Sequence, residues 1–282
     1  MKTIPPQVAA IHDISGVGRC SLTVILPVLS AMGVQACPVP TAVLSTHTGG
    51  FGTPARQDLT NTLAPALAHY RQLDLDFACV YSGYLSCVEQ VALCQDFFAA
   101  YPNALAVVDP VMGDHGKAYA SCGADLQAGM RELVSHAKLI TPNLTEACLL
   151  LETPYPDHEL SESAVRDMLL RLSRLGPTQV VLTGVGDGNT LVNYGYDKTR
   201  NAFWGQPSTR IPASYPGTGD IFTSVLIGSL LQGCTLPVAM SISADFVEAA
   251  VAETFRLGTD PRHGVALENC LYRLTTSIEN RG

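Results

Sequence analysis

Pro216-Gly217-Thr218-Gly219-Asp220, continuing into Ile221-Phe222-Thr223-Ser224-Val225-Leu226-Ile227-Gly228-Ser229-Leu230-Leu231, is a glycine turn that opens an apolar helix. Phe222, Val225, Leu226, Ser229 and Leu230 recur at helical spacing, which predicts one buried face. Gly217 and Gly219 carry no Cβ, so the turn between them can bring backbone N–H groups close to a ligand. Free amides and the dipole at the start of a buried helix make an anion site, with Thr218 inside it. Asp220 falls in the first turn, beside that anion. A carboxylate there repels a phosphate unless it faces an attacking hydroxyl and takes its proton during phosphoryl transfer. The same residues also read as an ordinary turn with Asp220 as a helix-start acid.

Upstream of this turn, short runs rich in Val, Ile and Leu alternate with helical patterns. Residues 8–11, 34–39, 77–81, 105–108, 138–140 and 180–182 read as strands. Between and beyond them, residues 21–32, 89–100, 126–136, 161–175, 236–257 and 267–278 read as helices. Gly33 and Gly176 stand where helices end, and Ser161 where one begins. Strands alternating with helices predict a parallel sheet covered on both faces, a three-layer α/β/α arrangement. Residues 190–204 alternate around a polar turn at 197–201 and predict an antiparallel hairpin at the sheet edge. No repeat or linker divides the 282 residues, so a single domain over 1–282 is expected.

The runs turn polar at their ends: Asp13, Thr41, Ser82, Asp109, Asn143 and Thr183. Open parallel sheets bind ligands outside the carboxyl ends of their strands, so these groups are expected on one rim. Ser15, Gly16, Val17 and Gly18 read as a glycine-rich turn after the first strand, and residues 41–54 as a flexible lid. His12, Asp13 and Ser15, with His47 and Thr48 in the lid, supply donors and acceptors for a small polar ring. His47 reads equally as a surface histidine. Asp109 and Asp114 flank a Pro-fixed turn that suits a hard cation such as Mg²⁺ or simply solvated acids. Glu146 serves either as a capping acid or as an acid facing that metal.

The formal charge of −8, with Lys and Arg unclustered, argues against a nucleic-acid or anionic-membrane partner. The longest apolar runs, such as 22–32 and 221–231, fall short of the ~20 residues that span a bilayer. Residues 1–7 carry no signal-peptide core, and a cytoplasmic protein is expected. Nine scattered cysteines without a C-x-x-C pair fit reduced, mostly buried thiols, and none stands beside a histidine base. The chain also lacks the G-x-x-x-x-G-K-[ST] phosphate loop.

Five motifs in order resemble the pyridoxal kinase branch of the ribokinase-like superfamily, over nearly the whole chain. They are Ser45-Thr46-His47-Thr48-Gly49, Ser82-Gly83-Tyr84-Leu85, Asp109-Pro110-Val111-Met112-Gly113-Asp114, Thr141-Pro142-Asn143 with Glu146, and Gly217-Thr218-Gly219-Asp220. The resemblance implies a ribokinase-like kinase using ATP and Mg²⁺, and admits a monovalent cation such as K⁺. It implies phosphorylation of the hydroxymethyl group of a vitamin B6 vitamer by a homodimer. Asp220 is then the catalytic base and Gly217, Thr218 and Gly219 the anion hole. Asp109 and Glu146 match positions near Mg-ATP, with Thr141, Asn143 and Thr183 at the nucleotide and Gln206 and Thr209 on a nucleotide-covering loop. Asp13, Ser15, His47, Thr48 and Tyr84 would surround the pyridine ring. Many pyridoxal kinases have serine where Asp13 falls, and the run 13–18 is nearer to hydroxymethylpyrimidine kinases of thiamine biosynthesis. That substrate, or a non-catalytic vitamer-binding protein on the same fold, is the alternative.

Overall fold

In the computed structural model, residues 4–186 and 188–279 are described. The chain runs from β1 (Gln7–Val17) through α1 (Leu22–Ala31) to β2 (Gln35–Thr46), β3 (Arg56–Asp58) and α2 (Thr60–Gln72). Next come β4 (Cys79–Ser82), α3 (Val88–Ala100), β5 (Leu105–Val108) and a small hairpin, β6 (Gly113–Asp114) and β7 (Lys117–Ala118). Then α4 (Ala124–Ser135), β8 (Leu139–Ile140), α5 (Leu144–Leu151), α6 (Glu162–Arg174) and β9 (Gln179–Val185) follow. The strands β10 (Thr190–Asp197) and β11 (Ala202–Thr209) precede α7 (Thr218–Leu231), α8 (Leu236–Leu257) and α9 (Tyr272–Glu279).

The main sheet has the order β11-β10-β9-β8-β5-β4-β1-β2-β3. Its centre, from β9 to β2, is parallel, and β3, β10 and β11 pair antiparallel at the edges. Side chains of a strand alternate between faces, so each central strand feeds two cores. Ala9, Ile11 and Val80 pack with α2 to α6, whereas Val8, Ala10, Cys79 and Tyr81 pack with α1, α7 and α8. Burying each such Leu, Ile or Phe contributes roughly 1.5–3 kcal/mol. The result is the three-layer α/β/α fold that the alternation predicted. The chain leaves β1 for β2 on one side and returns to β4 on the other, so strand order reverses between β1 and β4. A crevice opens at such a reversal, outside the strands' carboxyl ends.

Several expected boundaries move. The run 15–18 is not a turn after a short strand: β1 continues to Val17, pairing Ser15 with Leu44 and Val17 with Thr46. Its partner β2 likewise runs through residues 41–46, so the loop expected over 41–54 starts only after Thr46. Asp13 and Thr41 therefore lie inside long strands rather than at strand ends, and Thr183 lies within β9. Cross-strand hydrogen bonds hold these polar stretches extended where local composition reads as loop.

The second hairpin strand extends past residue 204 to Thr209. Gln206 and Thr209 thus belong to an edge strand, not to a covering loop, and the Thr209 amide donates to Glu248 of α8 (2.7 Å). Within α7 burial is continuous from Ile221 to Ser229 instead of confined to one face, because the helix is sandwiched between α1 and α8. The expected helix over 267–278 begins as a 3-10 turn at Leu267–Asn269 before α9, which lets Leu267, Cys270 and Leu274 all enter one core. Among the described residues no helix is long and apolar enough to cross a membrane. All nine cysteines are free thiols.

Candidate active site

The reversal between β1 and β4 brings His12 up against Gly83, just beyond β4. A Cβ at residue 83 would lie 1.9 Å from the His12 ring, so only glycine leaves room for it. Next to His12, β2 carries a bulge: between the pairs His12–Pro40 and Ile14–Val43, one residue of β1 faces two of β2. The single residue facing those two is Asp13.

His12 is 2% exposed and sits between two carboxylates. Its Nδ1 lies 2.9 Å from Asp13 Oδ1 and its Nε2 3.0 Å from Asp220 Oδ1. The Asp13 amide nitrogen is also 3.0 Å from Nδ1, which would suit a lone pair there. A carboxylate oxygen at 2.9 Å repels that lone pair and holds a proton, and the charged interaction is the stronger. Both ring nitrogens then donate, and the side chain is an imidazolium. Burial alone pushes the imidazole down, but the Asp220 charge and the hydrogen bonds to Asp13 and Asp220 outweigh it, raising the pKa from 6.5 to about 10.

Asp220 has its second oxygen engaged as well: Oδ2 accepts from the Ser21 amide at 2.7 Å. Ser21 adopts φ 56° and ψ −142°, a region costing a non-glycine residue about 1–3 kcal/mol. That conformation aims its N–H at Asp220 while its Oγ donates to Asp13 Oδ1 (2.6 Å). Ser15 Oγ donates to Asp13 Oδ2 (3.0 Å), so both oxygens of Asp13 are occupied within the protein. Burial raises the Asp13 carboxyl, but the hydrogen bond and charge of His12, with Ser21 and Ser15, bring it below its ordinary value.

The turn before α7 has the form an anion requires. Gly217 is the N-cap at φ 85°, and no side chain caps the helix start, so its first-turn amides are free of a capping group. A Cβ on Gly217 would stand 2.3 Å from the Arg19 carbonyl oxygen. Asp109, just past β5, lies beside this turn: a Cβ on Gly219 would be 3.9 Å from Asp109 Oδ2. One turn into α7, Thr223 Oγ1 lies 3.0 Å from Thr141 Oγ1 and 3.5 Å from Asp109 Oδ2.

Glu146 closes a capping box with Asn143, whose Oδ1 accepts from the Glu146 amide (3.0 Å). The Glu146 carboxylate accepts from the amides of Asn143 (2.9 Å) and Met112 (3.2 Å), and Asn143 Nδ2 donates to the Gly113 carbonyl (2.9 Å). Burial, then the Asp220 charge, raises the Asp109 carboxyl from 3.8 to about 7. Burial and the Asp109 charge push Glu146 well above its usual range, against the pull of its two amides. Two buried acids that resist ionising together suit a hard cation. Asp109 has the freer carboxylate, and Glu146 adds charge behind it.

Of the residues expected at the site, Asp13, Ser15, Asp109, Thr141, Asn143, Glu146, Gly217, Thr218, Gly219 and Asp220 share this crevice or the hydrogen bonds around it. Thr183 joins through Pro142, whose carbonyl accepts from its amide at 2.9 Å. Tyr84 follows Gly83, and its carbonyl accepts from Thr41 Oγ1 (3.2 Å). His47 is buried, with Nδ1 accepting from the Gly49 amide (3.0 Å) and Nε2 donating to the Arg262 carbonyl (2.6 Å). Thr48 is exposed in the loop beyond it. Gln206 and Thr209 lie in β11, two strands outside β9. Ser21 and Thr223 were missed, and so was the bond from His12 to Asp220. The only sequence signal was a His-Asp pair at the end of an apolar run: Asp220 and Thr223 come from α7, far along the chain, and Ser21, only eight residues past Asp13, read as an ordinary helix start.

Comparison with known proteins fits this geometry. The model of the phosphomethylpyrimidine kinase family matches residues 26–265. A Bacteroides thetaiotaomicron protein, provisionally named a phosphomethylpyrimidine kinase and solved with pyridoxal, is 40% identical with a TM-score of 0.92, covering 96% of each chain. Pyridoxal kinase from Lactobacillus plantarum is 33% identical with a TM-score of 0.90, covering 99% of each chain. A hydroxymethylpyrimidine/phosphomethylpyrimidine kinase from Streptomyces coelicolor is 27% identical over 261 residues, 90% of this chain and 91% of that one. An uncapped helix start with an acid in its first turn, on a fold shared along the whole length with these kinases, makes the chain a member of the phosphomethylpyrimidine and pyridoxal kinase family.

Proposed function

We propose that this kinase transfers the γ-phosphoryl group of ATP to the 5′-hydroxymethyl group of a vitamin B6 vitamer. The observation that carries the reading is Asp220 itself, fixed by His12 and Ser21 in the first turn of α7. The alcohol oxygen attacks the γ-phosphorus, the bond from that phosphorus to the bridging oxygen breaks, and ADP departs. Asp220 orients the hydroxyl and accepts its proton late, once the forming P–O bond has made it acidic. The amides of residues 217–219 face the charge that develops on the phosphoryl oxygens. Asp109, with Glu146 behind it, would hold Mg²⁺, which supplies charge neutralisation for the nucleotide phosphates.

Substrate choice is supported by the 33% and 40% identical structural neighbours, one named a pyridoxal kinase and the other solved with pyridoxal. The second reading, hydroxymethylpyrimidine as the alcohol, is favoured by the family description and the Streptomyces relative. Purified protein with Mg-ATP is offered pyridoxal, pyridoxine, pyridoxamine and hydroxymethylpyrimidine, separately and in competition. Phosphorylated B6 product in preference to the pyrimidine is expected. Preference for the pyrimidine transfers the protein to the second reading, and no product from any ring removes both. A homodimer is proposed alongside, with a solution mass near twice 29.9 kDa.

A further inference from the structure

The acid in the first turn of α7 does not stand alone. It is the end of a chain of charges that begins on the opposite element, Asp13 to His12 to Asp220, with contacts of 2.9 and 3.0 Å. Ser15 and Ser21 both donate to Asp13, and Ser21 closes a ring by donating its amide to Asp220; against them stands the Asp13 amide, 3.0 Å from Nδ1, which the carboxylate contact at 2.9 Å outweighs. Asp13 is thus engaged on both oxygens from within the protein, Oδ1 by two donors and Oδ2 by one.

We propose that His12 is a positioning residue: an imidazolium clamped between Asp13 and Asp220 that fixes the carboxylate of the catalytic base at the mouth of the anion site. The proposal rests on the kinase reading above and deepens it. An aspartate side chain turns freely about two bonds, and a carboxylate beside a phosphate swings away from it. Two donors on two different oxygens, His12 Nε2 and the Ser21 amide, remove both freedoms. The imidazolium also places one positive charge among Asp13, Asp220 and Asp109, so the alcohol's proton and the nucleotide enter a less negative site. Asp13 acts one step back, keeping the proton on Nδ1 and the ring plane aimed at Asp220. Gly83 supports the clamp by leaving the ring its space. The titratable groups facing His12 are Asp13 on β1, Asp220 on α7, Tyr81 on β4, edge-on at 6.5 Å, and Asp109 past β5.

The test combines kinetics with a spectroscopic reading that needs no activity. His12→Gln keeps one neutral donor, and Asp13→Asn loosens the imidazolium without touching Asp220. Both are expected to lower kcat by about 10–100-fold while KM for ATP stays within about twofold, the signature of a base mispositioned rather than a nucleotide site lost. Added to Asp220→Asn, His12→Gln should cause no further loss, since it acts only through that carboxylate. Normal kcat in His12→Gln, or losses that multiply in the double variant, overturns the proposal. In ¹⁵N NMR of the ligand-free protein, both His12 ring nitrogens should stay protonated up to pH ~9 and lose that in Asp13→Asn. A His12 that titrates near 6.5 in the native protein overturns the clamp whatever the substrate. Failure of the native enzyme on every ring alcohol would instead strike at the kinase reading, leaving the NMR result to decide the clamp.

Discussion

Asp220 and Asp109 stand on either side of the α7 turn, and the protein treats them oppositely. Asp220 has both oxygens engaged by donors, His12 and Ser21. Asp220→Asn keeps the shape and removes the basicity, so ATP affinity should hold while turnover falls about 10²–10⁴-fold, measured by product formation against nucleotide titration. Asp109 is held at a cost. Its carboxyl rises from 3.8 to about 7 on folding, so between those pH values the folded chain keeps a proton that the unfolded chain has lost. Stability from this group is therefore present at low pH and fades as pH rises through about 7. His12, raised from 6.5 to about 10, contributes its full stability below about 6.5 and loses it progressively as pH climbs from there through about 10. Asp109→Asn should flatten the decline of Tm between pH 5 and 8 and raise Tm at pH 8 by roughly 2–6 °C, while activity collapses. A melting curve at both pH values without nucleotide checks it.

Among the elements, α7 and the loop after β2 carry the clearest consequences. Gly217→Ala would put a methyl group against the Arg19 carbonyl at φ 85°. It should destabilise by about 1–3 kcal/mol in urea unfolding and weaken the anion site. The loop 47–55 is fastened to the segment around Arg262: Phe51 packs edge-on against His47 (5.0 Å) and His263 (5.7 Å), with the Arg262 guanidinium 5.3 Å over its ring. Phe51→Ala should loosen the loop, seen as faster amide exchange over 47–54 and more ATP hydrolysis without ring substrate. Local signals wrote α6 and α8 into the sequence almost to the residue, α6 through the Ser161 cap and α8 through its long amphipathic pattern over 236–257. The far ends of β1 and β2 were illegible because Asp13, Ser15 and Gly16 read as a turn until Val43, Leu44 and Thr46 pair with the strand. Pro65 inside α2 similarly hides a helix that its buried Leu63 and Leu67 secure.

Across the whole molecule, the alternation of strands and helices was enough to foresee the layers, because parallel strands buried on both faces need apolar runs that composition alone reveals. The gathering of Asp109, Asn143 and Glu146 on one rim was foreseeable for the same reason. The clamp was not, since nothing local pairs His12 with Asp220. A groove of about 510 Å³ lined by Gln95, Tyr101, Glu132, His136 and Lys138 lies at the opposite, amino-terminal rim of β5 and β8. It shares no residue with the crevice. Hydrogen exchange with ATP analogue and ring alcohol should therefore show protection at residues 109–114 and 217–223, and none at 95–104.

The contact from His12 to Asp220 joins positions 208 apart in sequence. A ribosome must release almost the entire polypeptide before the two can meet, so an emerging chain has its early acids in place long before the partner that makes them useful. If Asp220 is the base proposed above, a chain lacking that late segment has no group to take the alcohol's proton, and the order of synthesis itself keeps an unfinished kinase silent.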